Sequence, residues 1–114
     1  MIIIISAQEP NLEGAINERF GRCPFLIKID TSNNQWEPFQ NPGISQSGGA
    51  GVAAAQFVID QKVNAVISGD FGPHAANALR ASAIEMRLFS DNISTVQQAL
   101  DAYKQESLLA FGQD

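Results

Sequence analysis

Residues 2–6 read Ile-Ile-Ile-Ile-Ser. Four consecutive β-branched side chains lose rotamer freedom in a helix and suit a pleated strand. Successive side chains of a strand point to opposite faces, so an unbroken apolar run has to be covered on both sides. That requirement constrains the architecture of the whole chain. A sheet covered on both faces needs a layer above and a layer below it, which is the α/β class with this strand near the centre.

The rest of the chain supplies the other strands and the covering layers. Residues 25–30, Phe-Leu-Ile-Lys-Ile-Asp, alternate so that Phe25, Ile27 and Ile29 share one face. Thr-Ser-Asn-Asn at 31–34 is turn chemistry, and 35–40 then reads as a partner strand that Pro38 confines to a sheet edge. From residue 43 the rhythm changes. The glycine-rich stretch 43–51 leads into a helix over 52–62, with Val52, Ala55, Val58 and Ile59 on one stripe. A buried strand comes next at 63–68, then the loop Gly69-Asp70-Phe71-Gly72 and a helix opened by Pro73 in its first turn. A short strand at 85–89 and a helix at 95–104 complete the order, with capping-box spacing at Ser94 and Gln97. The order β-β-β-α-β-α-β-α gives five strands. Its second half implies parallel strands with crossover helices, and its early hairpin makes the sheet mixed. The 114 residues suit one domain, 1–114, with 105–114 as a loose tail.

Three features carry candidate chemistry. Residues 7–24 form a long loop without a period, a length uncommon in compact domains unless functional. It ends in Phe20-Gly21-Arg22-Cys23-Pro24, which holds the sole cysteine of the chain. Placed on a turn beside a cation, Cys23 reads as a presented thiol of lowered pKa, able to act as ligand or nucleophile. The alternative is a small packed turn residue. His74, the sole histidine, falls in the first turn of a helix and off its apolar stripe. It reads as a metal ligand or proton donor, or else as a solvated first-turn residue. One Cys and one His do not complete a structural zinc site, but they would supply two ligands to a group that arrives partly coordinated. Finally, two glycine loops each end at a helix start, where backbone N–H groups favour an anion. The alternative is that the glycines only permit tight turns.

Other chemistries fit less well. Gly49-Ala50-Gly51-Val52-Ala53-Ala54 matches G-x-G-x-x-A, with Asp70 near the offset of a ribose-binding acid, but no strand precedes it directly. The carboxylates Asp30, Asp60, Asp70 and Asp91 do not converge around an acid-bearing central strand, as a two-metal nuclease would need. A net charge of −5 disfavours a nucleic-acid partner. A single cysteine cannot form an internal disulfide, which fits a reducing cytoplasm. No stretch approaches the length of a membrane span.

Taken together, the segments Phe20–Asp30, Gly48–Leu79 and Ser94–Lys104 resemble the dinitrogenase iron–molybdenum cofactor biosynthesis family, the NifX-like domains. The likeness runs over about residues 2–104. It implies a ribonuclease H-like three-layer α/β/α fold with a five-stranded mixed sheet. It also implies binding and transfer of iron–sulfur clusters or cofactor precursors, one related member holding a molybdenum–copper sulfide cluster. Phe20, Gly21 and Arg22 match the family's loop motif; Gly48, Gly49, Gly51, Gly69, Gly72 and Pro73 match its two turns. Many members carry His before Phe-Gly, where this chain has Arg19. The expectation is therefore a non-enzymatic cytoplasmic carrier, monomer or weak dimer. Its cargo would be an iron–sulfur or Mo/Cu/Fe–sulfide cluster beside Arg19 and Arg22, with Cys23 and His74 as metal ligands. A cluster donor or acceptor protein would be its partner. The alternatives are a nucleotide- or anion-binding regulatory module and a scaffold without cargo.

Overall fold

The computed structural model describes residues 1–112. Strand β1 (Ile2–Ala7) is buried from Ile3 onward, as its unbroken apolar run requires. It pairs antiparallel with β2 (Phe25–Asp30), which pairs antiparallel with β3 (Trp36–Gln40) at the edge. On its other side β1 runs parallel to β4 (Ala65–Ser68), and β4 parallel to β5 (Glu85–Leu88). A last strand, β6 (Leu109–Ala110), pairs antiparallel with β5. The sheet order is β3-β2-β1-β4-β5-β6.

Helices α1 (Ala50–Asp60) and α2 (Pro73–Ala81) cover one face, and α3 (Val96–Lys104) the other. The period-2 alternation of the strands sorts the core into two layers. Ile4, Leu26, Val66 and Met86 meet Ala54, Val58, Ala75 and Leu79 on the first face. Ile3, Ile5, Ile27 and Ile67 meet Val96, Ala99 and Leu100 on the second. The α/β architecture expected from the isoleucine run, and the mixed sheet expected from the early hairpin, are present. Among the described residues no helix is long and apolar enough to cross a membrane.

Several expectations need correction. The sheet has six strands, not five, because Leu109–Ala110 adds an edge strand. The segment from 105 is accordingly not a loose tail over its described part: Phe111 N–H donates to Met86 O at 3.0 Å, and Leu108 is buried; residues 113–114 lie outside the described residues. Helix α1 starts at Ala50, two residues before the expected Val52, because Gly49 in the left-handed region (φ 73°) already starts it. The capping box is real but one residue on: Thr95 accepts from Gln98 N, and the Gln98 side chain reaches back to the Thr95 N–H.

Candidate functional site

The chain leaves β1 toward β2 on one side, while β4, its other neighbour, feeds α2. Adjacent parallel strands whose connections part in this way open a crevice at their carboxyl ends, where open α/β sheets bind ligands. A cleft of about 350 Å³ lies there, walled by three loops. Arg19, Phe20, Gly21 and Arg22 form one wall. Gly49, Ala50, Gly51 and Val52, the start of α1, form the second. Asp70, Phe71, Gly72, Pro73, His74 and Ala75, the turn into α2, form the third.

Each wall is fixed by contacts that few sequence signals announce. Ser6, next to last in β1, and Ser68, last in β4, are fully buried. Their hydroxyls meet at 2.7 Å, and Ser6 Oγ donates to Asn17 O at 2.6 Å. This seats the long 8–24 loop on the sheet edge. Phe20 N–H then donates to Asp70 O (3.2 Å) and Gly69 N–H to Glu18 O (3.1 Å), joining the first wall to the third. The Phe20 and Phe71 rings pack against each other at a tilt, 5.3 Å apart. Asn41, 1 % exposed, joins the first wall to the short turn at Pro42–Ser45 that leads toward α1. Its Nδ2 donates to Phe20 O at 3.0 Å and to Cys23 Sγ at 3.4 Å, while its Oδ1 accepts from Gly43 N at 2.9 Å. Backbone packing there is close enough to demand glycine. A Cβ on Gly21 would stand 2.8 Å from Gly51 N, and one on Gly43 would stand 2.4 Å from Gly21 O. The long loop is therefore held in place: it is bonded to the strand ends, to the turn ahead of α1 and to the 69–72 turn.

The cleft is a donor-rich surface. The first N–H groups of any helix lack intrahelical acceptors, and neither Gly49 nor Gly72 has a side chain to cap them. Both glycines sit at φ 73°, which turns the chain sharply into its helix. Two uncapped helix N-termini thus face one crevice, each with partial positive charge. Arg19 and Arg22 stand exposed at the rim, with Arg22 Nη1 held by Gln46 O at 2.8 Å. His74 is exposed on the first turn of α2 and lines the same cleft. Asp70 is the one carboxylate on the walls, and its Oδ1 accepts from Gly72 N at 3.3 Å. The arrangement suits a compact anion with several acceptor atoms.

The cleft gathers nine of the twelve singled-out residues: Arg19, Phe20, Gly21, Arg22, Gly49, Gly51, Gly72, Pro73 and His74. Gly48 is exposed beside it, and Gly69 is packed under Glu18. Cys23 is the substantive correction. It is not presented but 0 % exposed, with its thiol facing Phe25 O at 3.2 Å and Phe20 O at 3.4 Å. Burial pushes its pKa up to about 11, opposite to the lowering expected from Arg22. Pro24 and Phe25 turn the chain into β2 and carry the sulfur inward with it. Residues of the cleft that sequence reasoning did not single out are Asn41, Ser6 and Ser68 behind the walls, and Phe71 within them. An asparagine directly before Pro-Gly was the available signal for the first. A larger hollow of about 520 Å³ lies at the opposite edge of the sheet, by Glu85, Arg87 and Tyr103. Those three bond one another there, Tyr103 Oη donating to Glu85 at 3.2 Å and Arg87 to Glu85 at 2.9 Å. The donor-rich loops are all at the smaller one. Among the described residues no three His, Cys, Asp or Glu side chains gather to hold a metal ion.

The profile of the family described as dinitrogenase iron–molybdenum cofactor matches residues 1–106. No curated protein matches the sequence. Among solved structures, the chain is similar to the apo form of the orange protein from Desulfovibrio gigas. The identity is 28 % and the TM-score 0.90, over 97 % of this chain and 92 % of that one. It is also similar to a provisionally named NifB protein from Thermotoga, at 25 % identity and TM-score 0.84, over 99 % and 95 % of the two chains. A provisionally named dinitrogenase from Methanocaldococcus jannaschii, at 14 % identity and TM-score 0.70 over 100 % and 97 %, shares the fold.

Proposed function

The chain belongs to the dinitrogenase iron–molybdenum cofactor family, and on that premise we propose that it binds and hands on an anionic metal–sulfur cluster or cofactor precursor in the three-loop cleft. The single observation that carries this reading is the convergence of two uncapped helix N-termini and two arginines on one crevice. Such a surface recognises a cluster through its outer sulfide atoms, which accept hydrogen bonds from N–H groups and guanidinium. The cargo would bring its own sulfur ligands, and Arg19 and Arg22 would offset its charge. His74 stands at the rim as the side chain best placed to add a nitrogen ligand. Cys23 acts in packing, since a neutral buried thiol is a poor soft donor. Reversible capture through backbone donors suits a carrier in reducing cytoplasm better than an enzyme.

The test is anaerobic reconstitution with iron and sulfide, and separately with tetrathiomolybdate with and without copper. The readouts are visible absorption and metal per chain. Stoichiometric colour is expected in the wild type and in Cys23→Ala, and strongly reduced colour in Arg19→Ala/Arg22→Ala. Colour lost in Cys23→Ala but kept in the arginine variant would overturn the reading. An anion module that takes simple oxyanions or nucleotides would instead give thermal shifts with phosphate or ATP and retain no metal.

A further inference from the structure

Resting on the cleft reading above, we infer that Phe111, outside the cleft, is a positioning residue for it. The 69–72 turn has a single buried side chain, Phe71, 3 % exposed. Asp70 is exposed, and Gly69 and Gly72 have no side chain. Besides the two backbone bonds that tie Gly69 to Glu18 and Asp70 to Phe20, the turn is anchored by where the Phe71 ring rests. That ring lies 5.3 Å from the Phe20 ring and 5.1 Å from the Phe111 ring, tilted to both. Three rings in series thus link the first wall of the cleft, its third wall and the C-terminal segment.

That segment is built as a strap. Leu108 is buried in the α3-side core, while Phe111 packs into the core on the α1/α2 side. Arg87 Nη1 holds Leu108 O at 3.2 Å, and Phe111 N–H is held by Met86 O. Between these anchors the sheet pairing is two residues long. The strap starts just past the family match, which ends at residue 106. The cleft motif is shared with the family, whereas the ring beneath Phe71 comes from beyond the matched region. Without Phe111 the Phe71 ring loses one of its two aromatic neighbours, and the start of α2 shifts with it.

The experiment compares Phe111→Ala, Phe111→Leu and a control, Val96→Ala, which thins the opposite core. Tetrathiomolybdate affinity is measured by anaerobic equilibrium dialysis, and amide hydrogen exchange at Phe20, Gly69 and Ala76 against Ala99 of α3. Phe111→Ala is expected to weaken affinity about five- to tenfold, the worth of one aromatic pair. It should lower protection at Phe20, Gly69 and Ala76 but not at Ala99. Phe111→Leu, which keeps apolar bulk without the ring, should recover part of both, and Val96→Ala should lower global stability with affinity kept. An affinity loss no greater than that of Val96→Ala, or protection lost equally at Ala99, would overturn the inference. If the wild type fails to bind the probe, the proposed function falls, and the exchange pattern alone decides the role of Phe111.

Discussion

Cys23 shows how far a single side chain can depart from its local sequence. Beside Arg22 it reads as an activated thiol; in the structure the sulfur turns inward to Asn41, Phe20 O and Phe25 O. Burial holds its pKa near 11 against an ordinary 9.0. The neutral form is thus favoured more in the folded than in the unfolded chain. Its contribution to stability is fully present below pH 9 and is lost as pH rises toward about 11. The loss amounts to roughly 2–3 kcal/mol for a shift of this size. Denaturant titrations from pH 8 to 11 should show it in the wild type and a smaller decline in Cys23→Ala. The decline that remains includes Tyr103, pushed up to about 12 chiefly by burial. A thiol reagent should modify Cys23 only at the rate of unfolding. Asn41, the partner 18 positions away, is a second test. Asn41→Ala leaves Phe20 O and Gly43 N without their partner, which should cost about 2–3 kcal/mol. Nothing next to Cys23 in the sequence reveals that partner, which is why the sequence left the presented thiol and the packed turn residue both open, and the structure decides for the packed one.

At the scale of elements, legibility depended on how local the cause was. The strand Phe25–Asp30 and the helix Pro73–Ala81 stand where alternation and an N-terminal proline place them. The strand Leu109–Ala110 was invisible because two residues carry no period, and their ladder partner is β5. The capping residue was misplaced by one because Ser94 and Thr95 both have hydroxyls, and only the backbone bend decides between them. Two glycine substitutions separate packing demand from turn demand. Gly21→Ala forces a methyl against the backbone of Gly51 and should destabilise by about 2 kcal/mol or more. Gly48→Ala meets nothing within 4 Å and should stay within about 0.5 kcal/mol of the wild type. Both are read from denaturant midpoints. The C-terminal end of α2 offers the opposite change. Ala83 N–H donates to Arg80 O and Ile84 N–H to Leu79 O, a Schellman pattern that places a non-glycine residue at φ 58°. Ala83→Gly should raise stability by about 0.5–1 kcal/mol.

For the whole molecule, the isoleucine run implied a central strand with helices on both sides, and the early hairpin a mixed sheet. What it could not reveal was the meeting of three loops, far apart in sequence, at one crevice, because that depends on the crossing order of β1 and β4. The outer edge bears on self-association. Pro38 faces Ile27 in the middle of β3 and lacks an N–H, which interrupts any ladder a second chain would build there. Wild-type protein is expected to remain monomeric in light scattering at tens of micromolar, and Pro38→Val to shift toward larger species. The uncapped helix starts have a consequence of another kind. The donors they present belong to the main chain, so no substitution except proline deletes them. Recognition at this cleft is written in conformation more than in letters. An alanine scan along the two helix starts would therefore find faint effects, in contrast to those at Arg19 and Arg22. The informative chemistry would be semisynthesis with an ester in place of the amide at Val52 or Ala75, which removes one proton and leaves every side chain as it was.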